Sequence, residues 1–213
     1  MKVAKFEFSL FGINTYVVVD EATRKCAIID PGMINREEED AMKKFVISNN
    51  LTVTHIINTH LHIDHAIGNI KAAELFDAPI SAHKDDEFLG ERMKQQAQMF
   101  GISEKVAEVS INSYLTDGDI INIGEGELSV LHVPGHSPGG IALYDKKDGF
   151  VISGDSLFAG SIGRTDLPGG DMTTLLNSVK SKLLTLPDST IVYPGHGPAT
   201  TIGRERSSNP FLR

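Results

Sequence analysis

The sequence predicts an α/β chain, and three observations carry that prediction. Short apolar runs recur and stop at turn residues: Cys26-Ala27-Ile28-Ile29 ahead of Pro31-Gly32, Val53-Thr54-His55-Ile56-Ile57-Asn58, and Phe150-Val151-Ile152-Ser153 ahead of Gly154. Runs of this length and composition read as strands. Two other segments have helical character. Asn35 followed by Arg36-Glu37-Glu38-Glu39-Asp40 supplies a capping residue and an acidic first turn, and Asp171 to Leu186 places Leu175, Leu176, Val179, Leu183 and Leu184 on a 3.6-residue stripe. No low-complexity linker or shift in composition interrupts the chain, so a single domain over 1–213 is expected.

Taken in order, Lys2 to Ser9 alternates in part and forms the first predicted strand. Gly12-Ile13-Asn14 reads as a turn, Tyr16 to Val19 as the second strand and Cys26 to Asp30 as the third. The acid run after Asn35 is expected to be a solvated helix face. The Val53 strand leads into Thr59-His60-Leu61-His62-Ile63-Asp64-His65 and then a helix from Ile67 to Phe76. Ala78 to Ala82 is a short strand, and Lys84 to Phe100 is helical in pieces with a break near Gly90. Met93, Met99 and Phe100 are candidates for a substrate entrance or for ordinary packing. Ile120–Ile123, Leu128–Val133, Ile141–Tyr144 and Thr190–Tyr193 complete the strands, and Gly203 to Asn209 closes with a short helix.

Charge and cysteine content narrow the function. With 20 basic and 28 acidic residues the formal charge is -8, which argues against a nucleic-acid partner, since phosphate contacts need clustered Lys and Arg. Cys26 is the single cysteine and lies inside an apolar run, so a buried thiol is expected rather than a nucleophile. No signal peptide and no membrane span is legible, and the expectation is a soluble, reduced, cytoplasmic protein.

The chemistry gathers at strand ends. His60, His62, Asp64 and His65 fall within six residues directly after an apolar strand. Alternate side chains of an extended stretch share one side, so His60 and His62 point together, while Asp64 and His65 sit where the chain turns and are redirected. One pair plus one redirected pair suits two adjacent ions, and a carboxylate among imidazoles suits zinc, iron or manganese. A polar loop that is merely rich in histidine is the alternative. Val133-Pro134-Gly135-His136 and Tyr193-Pro194-Gly195-His196 each end a strand in Pro-Gly, the central pair of a type II turn with Gly at positive φ, and then present a histidine. Asp155 emerges where the Phe150 strand ends, and a carboxylate left unpaired there would be costly. Asp30 occupies a similar place and either orients a ligand or caps a turn. His55, His83 and His132 are expected to be packed or surface histidines. No P-loop or dinucleotide fingerprint is present.

His60-x-His62-x-Asp64-His65, then Pro-Gly-His136, Gly-Asp155 and Pro-Gly-His196, resembles the metallo-β-lactamase superfamily. Within it, Ser153-Gly154-Asp155-Ser156-Leu157-Phe158 through Gly163-Arg164-Thr165-Asp166 is similar to the type II glyoxalase (hydroxyacylglutathione hydrolase) branch. Gly195-His196-Gly197-Pro198 through Asn209-Pro210-Phe211-Leu212 looks like its compact bacterial members. The resemblance implies an αββα sandwich of two mixed sheets, with metals at the edge where the sheets meet. By position it implies His60, His62 and His136 around a first metal, Asp64, His65 and His196 around a second, and Asp155 bridging. Asp64 and Asp155 are then also the catalytic candidates. The implied cofactors are two divalent ions, zinc first and iron or manganese as alternatives. The chain ends soon after His196, without the helical glutathione-binding extension of larger relatives, which puts glutathione as thiol carrier in doubt.

On this resemblance the expected activity is metal-dependent hydrolysis of S-D-lactoylglutathione or a related hydroxyacyl thioester by a metal-bridging hydroxide. A thiolate leaving group needs little protonation, so no further general acid is required. Arg164 is the candidate for binding a substrate carboxylate, a surface arginine being the alternative. The competing expectations are a persulfide dioxygenase with one iron, a less specific metallo-hydrolase, and a non-catalytic metal-binding module with a closed shell. A secreted β-lactamase is disfavoured because Asp155 stands where the common zinc-cysteine type needs a thiolate.

Overall fold

The computed structural model describes residues 1–102 and 106–213. Two six-stranded sheets dominate it. The first is built in chain order from β1 (Lys2–Phe8), β2 (Ile13–Val19), β3 (Lys25–Ile29), β4 (Thr52–Ile57), β5 (Ile80–Ala82) and β6 (Ser113–Tyr114). Its first three strands are antiparallel and β3 to β6 are parallel. The second contains β7 (Ile120–Ile123), β8 (Gly126–His132), β9 (Ile141–Asp145) and β10 (Phe150–Gly154) as an antiparallel run. After a small hairpin of β11 (Leu157–Phe158) and β12 (Ser161–Ile162), β13 (Ile191–Pro194) joins β10 in parallel and β14 (Thr200–Thr201) closes the edge.

Helices cover the outer faces. These are α1 (Arg36–Ser48), α2 (Ile63–Ala66), α3 (Asn69–Phe76), α4 (Glu87–Glu91) and α5 (Met93–Met99), then α6 (Met172–Ser178) and α7 (Ile202–Ser208). The strands show why both faces are covered. In β2, Tyr16 and Val18 join the layer between the sheets, whereas Val17 and Val19 pack outward with Met42, Val46, Ala72 and Met93. In β10, Phe150 and Ile152 face inward, and Val151 packs with Leu175, Val179 and Leu183 on the other side. A strand buried on both faces reads as an unbroken apolar run instead of an alternation. The layers are helix, sheet, sheet, helix: the expected αββα sandwich.

Several boundaries differ from the sequence reading. Ile13 and Asn14 belong to β2 and are not a turn, because Asn14 pairs across to Glu7 and its amide donates to Gly195 O at 2.7 Å. The helix expected from Ile67 to Phe76 begins at Asn69 as α3 and is preceded by the separate turn α2; between them lie Ile67 and Gly68, where a Cβ on Gly68 would collide with Pro31 O. Gly90 lies within α4, and the break falls at Arg92. The Asp171 helix keeps its Asp171 cap but passes after Ser178 into a single π-helical turn, Val179–Leu183. Strands β6, β11, β12 and β14, each two residues long, are too short to show a period. Asn35 caps α1 as expected, accepting from Glu38 N. Glu38 is not purely solvated, however: its carboxylate accepts from Ser9 N, Ser9 Oγ and Ile34 N. Cys26 is buried, and burial pushes its thiol up to about 12, which fits an inert packing residue. No helix among the described residues is long and apolar enough to cross a membrane.

The two sheets are pinned where β2 begins and β13 ends. Buried Asn14 donates from Nδ2 to Pro194 O and Gly197 O, both at 2.9 Å, and the Tyr16 hydroxyl donates to Pro194 O at 2.7 Å. Asn14→Ala removes two donated bonds and leaves carbonyls short of a partner, so a loss of about 1–3 kcal/mol is expected. Urea unfolding at fixed metal content measures it. A midpoint unchanged from wild type would show that this pin carries no stability.

Candidate metal centre

The functional side chains come from loops at the carboxyl ends of β3, β4, β8, β10 and β13. His60 and His62 follow β4 in extended chain, and Asp64 and His65 ride on the single turn of α2. His136 follows β8, Asp155 follows β10 and His196 follows β13. The fold thus brings all seven sequence-predicted donors together at one edge of the sandwich. Among these seven, three sets of donor atoms lie close enough to share an ion: His60 with His62 and His136, His60 with His65 and Asp155, and Asp64 with His65 and His196.

Within the first set, His136 Nε2 lies 2.9 Å from His62 Nδ1 and 3.2 Å from His60 Nε2. Within the last, His196 Nε2 is 3.0 Å from Asp64 Oδ2, and His65 Nε2 is 3.7 Å from that same oxygen. Asp155 stands between the two. Its Oδ1 is 3.3 Å from His65 Nε2, and its Oδ2 is 3.6 Å from His136 Nε2 and 3.7 Å from His196 Nε2. Donors at about 2.0–2.1 Å around a tetrahedral ion stand roughly 3.3 Å apart, so these separations suit a cation.

The outer ring nitrogens decide which tautomers are present. Asp30 Oδ2 faces His65 Nδ1 at 3.0 Å, Arg164 O faces His136 Nδ1 at 2.7 Å, and Phe11 O faces His196 Nδ1 at 3.2 Å. Thr59 Oγ1 donates to Asp30 Oδ2 at 2.6 Å, so it accepts from His60 Nδ1 at 3.2 Å. With Nδ1–H committed to these acceptors, each Nε2 turns a lone pair inward. In these neutral forms lone pairs and carboxylate oxygens converge, and without an ion a proton on His65 or His196 takes the cation's place. His65 Nε2 and Asp155 Oδ1, which point into the set, are buried without any hydrogen-bond partner. Such a donor set fits a metal ion and is costly without a cation.

Asp30, expected either to orient a ligand or to cap a turn, has a particular geometry. It holds a left-handed φ of 51° and accepts from Thr59 N at 2.7 Å and from Thr59 Oγ1, as well as facing His65. Gly195 was expected at positive φ and does not adopt it, whereas Gly135 does, at 131°. Gly195 is small for another reason: a Cβ there would strike Asp155 Oδ1. Arg164 lines the cavity over the donors, but its guanidinium already donates two 2.7 Å bonds to the Asp166 carboxylate. Its charge is thereby offset, and its carbonyl serves His136 instead. Met93 is buried in the core, while Met99 and Phe100 do line an entrance.

The sequence reading missed Asp86. It is fully buried and accepts from Leu61 N at 3.1 Å, Ser137 Oγ at 2.8 Å and Gly139 N at 2.6 Å. One carboxylate thus ties the segment between His60 and His62 to the segment after His136. Burial raises its pKa against those three bonds. Nothing in Lys84-Asp85-Asp86-Glu87 distinguishes it from a surface charge run. Buried Gln96 acts similarly, accepting from Ile63 N and donating to Leu61 O and Leu89 O. His55 is half-buried. His83 and His132 stack with rings 4.1 Å apart and, with Asp85, form a fourth set of converging donors that shares no residue with the seven.

The electrostatics divide the histidines. Burial, then the neighbouring imidazoles, holds His60 well below the usual range, and burial with His136 brings His62 down to about 3. His65 is opposite: burial pulls it down, but Asp155, Asp64 and Asp30 outweigh burial and raise it well above the ordinary value. His196 is raised as well, its burial offset by Asp64 and Asp155. The same histidines lower Asp155 and Asp64 despite their burial.

Residues 9–196 match the model of the Metallo-beta-lactamase superfamily. The chain is 36% identical to a protein of Haemophilus influenzae named hydroxyacylglutathione hydrolase GloC, over 100% of this chain and 98% of that one. Among solved structures, BLEG-1 B3 metallo-beta-lactamase superposes with a TM-score of 0.89 at 35% identity, covering 99% of each chain. TTHA1623 in a di-iron-bound form gives 0.85 at 36% identity, with 99% of this chain and 100% of that one covered. ETHE1 from Myxococcus xanthus gives 0.82 at 29% identity, with 99% and 84% covered.

Two outcomes follow for metal content. A raised histidine keeps its proton to higher pH, and that proton competes with a metal as pH falls. Acidification should therefore empty the Asp64, His65, His196 set first and the His60, His62, His136 set at lower pH. Metal analysis after dialysis at successively lower pH from about pH 8 should show one ion lost before the other, and loss of both together would refute the division. Asp155→Ala should deplete both sets and His196→Ala chiefly one. Two retained ions and wild-type activity in Asp155→Ala would remove its bridging role.

Proposed function

The chain belongs to the metallo-beta-lactamase superfamily, and from that premise we propose that it is a thioesterase of the hydroxyacylglutathione hydrolase kind. His60, His62 and His136 would hold one divalent ion, Asp64, His65 and His196 a second, and Asp155 would span them. Zinc is the first choice of metal on ligand chemistry, with iron or manganese as alternatives. Such ions supply Lewis acidity and an activated water at neutral pH.

One observation carries the choice of reaction. The cavity over the donors, about 290 Å³, is lined by Phe11, Phe100, Leu167 and Arg164 besides the donors themselves. Among the described residues that lining contains no tyrosine, lysine or serine to protonate a leaving group, and the Arg164 guanidinium stays charged at working pH. In thioester hydrolysis water supplies oxygen to the new carboxylic acid, and the C–S bond breaks with its electron pair leaving on sulfur. A thiol has a pKa near 8.5, so the thiolate departs without a protein acid, whereas an amine or alkoxide would need one. The relationship to the Haemophilus protein supports the same reading.

The chain's own groups would hold and orient. Asp30, directly and through Thr59, sets the His65 and His60 imidazoles within the donor cluster, while the Arg164 carbonyl and Asp86 hold the His136 segment. The expected result is steady hydrolysis of S-D-lactoylglutathione by metal-loaded protein, followed as loss of thioester absorbance, and none after chelation. Absence of turnover on this and other thioesters, together with oxygen uptake on glutathione persulfide, would replace the hydrolase with an iron dioxygenase.

A further inference from the structure

Next to the metal centre lies a second cavity, of about 380 Å³, that holding and activating water does not use. Its walls come from α4, α5 and the loop after β12, and include Phe88, Arg92, Met99, Phe100, Leu167 and Pro168. It is continuous with the cavity over the donors, since His62, Phe100 and Leu167 line both. A molecule reacting at the donors can therefore extend past His62 into it.

The surroundings are unusually apolar for a polar centre. Met99 is 62% exposed and Phe11 54% exposed, and the Phe11 ring meets Phe100 edge-on at 5.5 Å. Large apolar side chains grouped in the open at a cavity mouth mark a contact surface. The wall also carries a cation. The Arg92 guanidinium lies 5.7 Å from the Phe88 ring centroid and has no ion pair among the described residues. Arg164, by contrast, is neutralised by Asp166. The available counter-charge is thus on the apolar cavity.

We propose that this cavity binds an apolar arm of the substrate, an aliphatic chain or aromatic ring joined to the thioester, whose anionic group pairs with Arg92. This rests on the thioesterase reading and narrows it. A lactoyl group is too small and too polar to fill such a cavity, so longer apolar thioesters are the better substrates. The arm belongs to either the acyl or the thiol side, and kinetics separate the two.

The test uses metal-loaded protein and two series: acyl chains from acetyl to octanoyl on one thiol, and one acyl group on thiols of increasing length. In one series kcat/KM should rise about three- to fourfold per buried methylene until the cavity is full, mainly through KM. A terminal carboxylate on the longest member should improve kcat/KM further in wild type but not in Arg92→Gln. Met99→Asp should flatten the gradient. Both side chains are exposed, so neither variant threatens folding. Hydrolysis with no length dependence in either series overturns the cavity proposal and leaves the thioesterase standing. If no thioester is hydrolysed, the reaction assignment falls, and octanoate titration by calorimetry decides the cavity. Binding weakened in both Arg92→Gln and Met99→Asp sustains it, and no binding overturns it.

Discussion

The bond on which the rest of this site depends is that between Asp30 and the Thr59–His65 segment. Its two oxygens take Thr59 N, Thr59 Oγ1 and His65 Nδ1 at 2.6–3.0 Å, in a place where Asp30 is 1% exposed. A buried carboxylate is tolerated when hydrogen bonds or a cation compensate it. Here the compensation is also positional. The Thr59 hydroxyl, turned towards Asp30, can only accept from His60, and so two histidines receive their tautomers from one carboxylate. Asp30 reaches this geometry at φ 51°, a left-handed conformation that Asp tolerates better than most residues. Strain at one position is exchanged for order at several.

The same pattern extends outward. Each metal-facing imidazole except His62 has its far nitrogen committed to an acceptor, and those acceptors come from different parts of the chain: Asp30, Thr59, Arg164 and Phe11. Asp86 and Gln96 hold the intervening backbone. The donors are thus fixed before any ion arrives, and metal affinity need not be spent on ordering them. Close approach imposes small residues at the same edge. Gly154, at φ 49°, leaves no room for a Cβ beside Thr59 Oγ1, and Gly195 leaves none beside Asp155. Both facts place the ends of β10 and β13 directly against the donors.

Function follows from where this edge opens. Beside the donors lies a cavity with apolar walls and a cation, Arg92, at the N-cap of α5. On the proposed reading, a metal centre beside an apolar recess would separate the chemistry from the recognition. Changes in the recess would then alter substrate preference without disturbing the donors.

The sequence by itself determined the donor set and its strand-end setting. His60, His62, Asp64 and His65 announce themselves because they are close in chain, and Pro-Gly-His136 and Pro-Gly-His196 because turn chemistry is local. Apolar runs such as Ala27-Ile28-Ile29 gave the strands for the same reason, and the αββα layering came from the resemblance. Tertiary structure alone decided what depends on distant partners. Asn14 bonds to Pro194 across 180 positions, Asp86 to Ser137 across 51, and His136 to Arg164 across 28. No periodicity encodes such pairings, since a two- or 3.6-residue repeat tells which face is buried and not what it meets. For that reason Asp86 went unread, since its burial and its partners exist only in the folded chain. The exposed Arg164 guanidinium pairs locally with Asp166, and only its carbonyl meets a distant partner, His136.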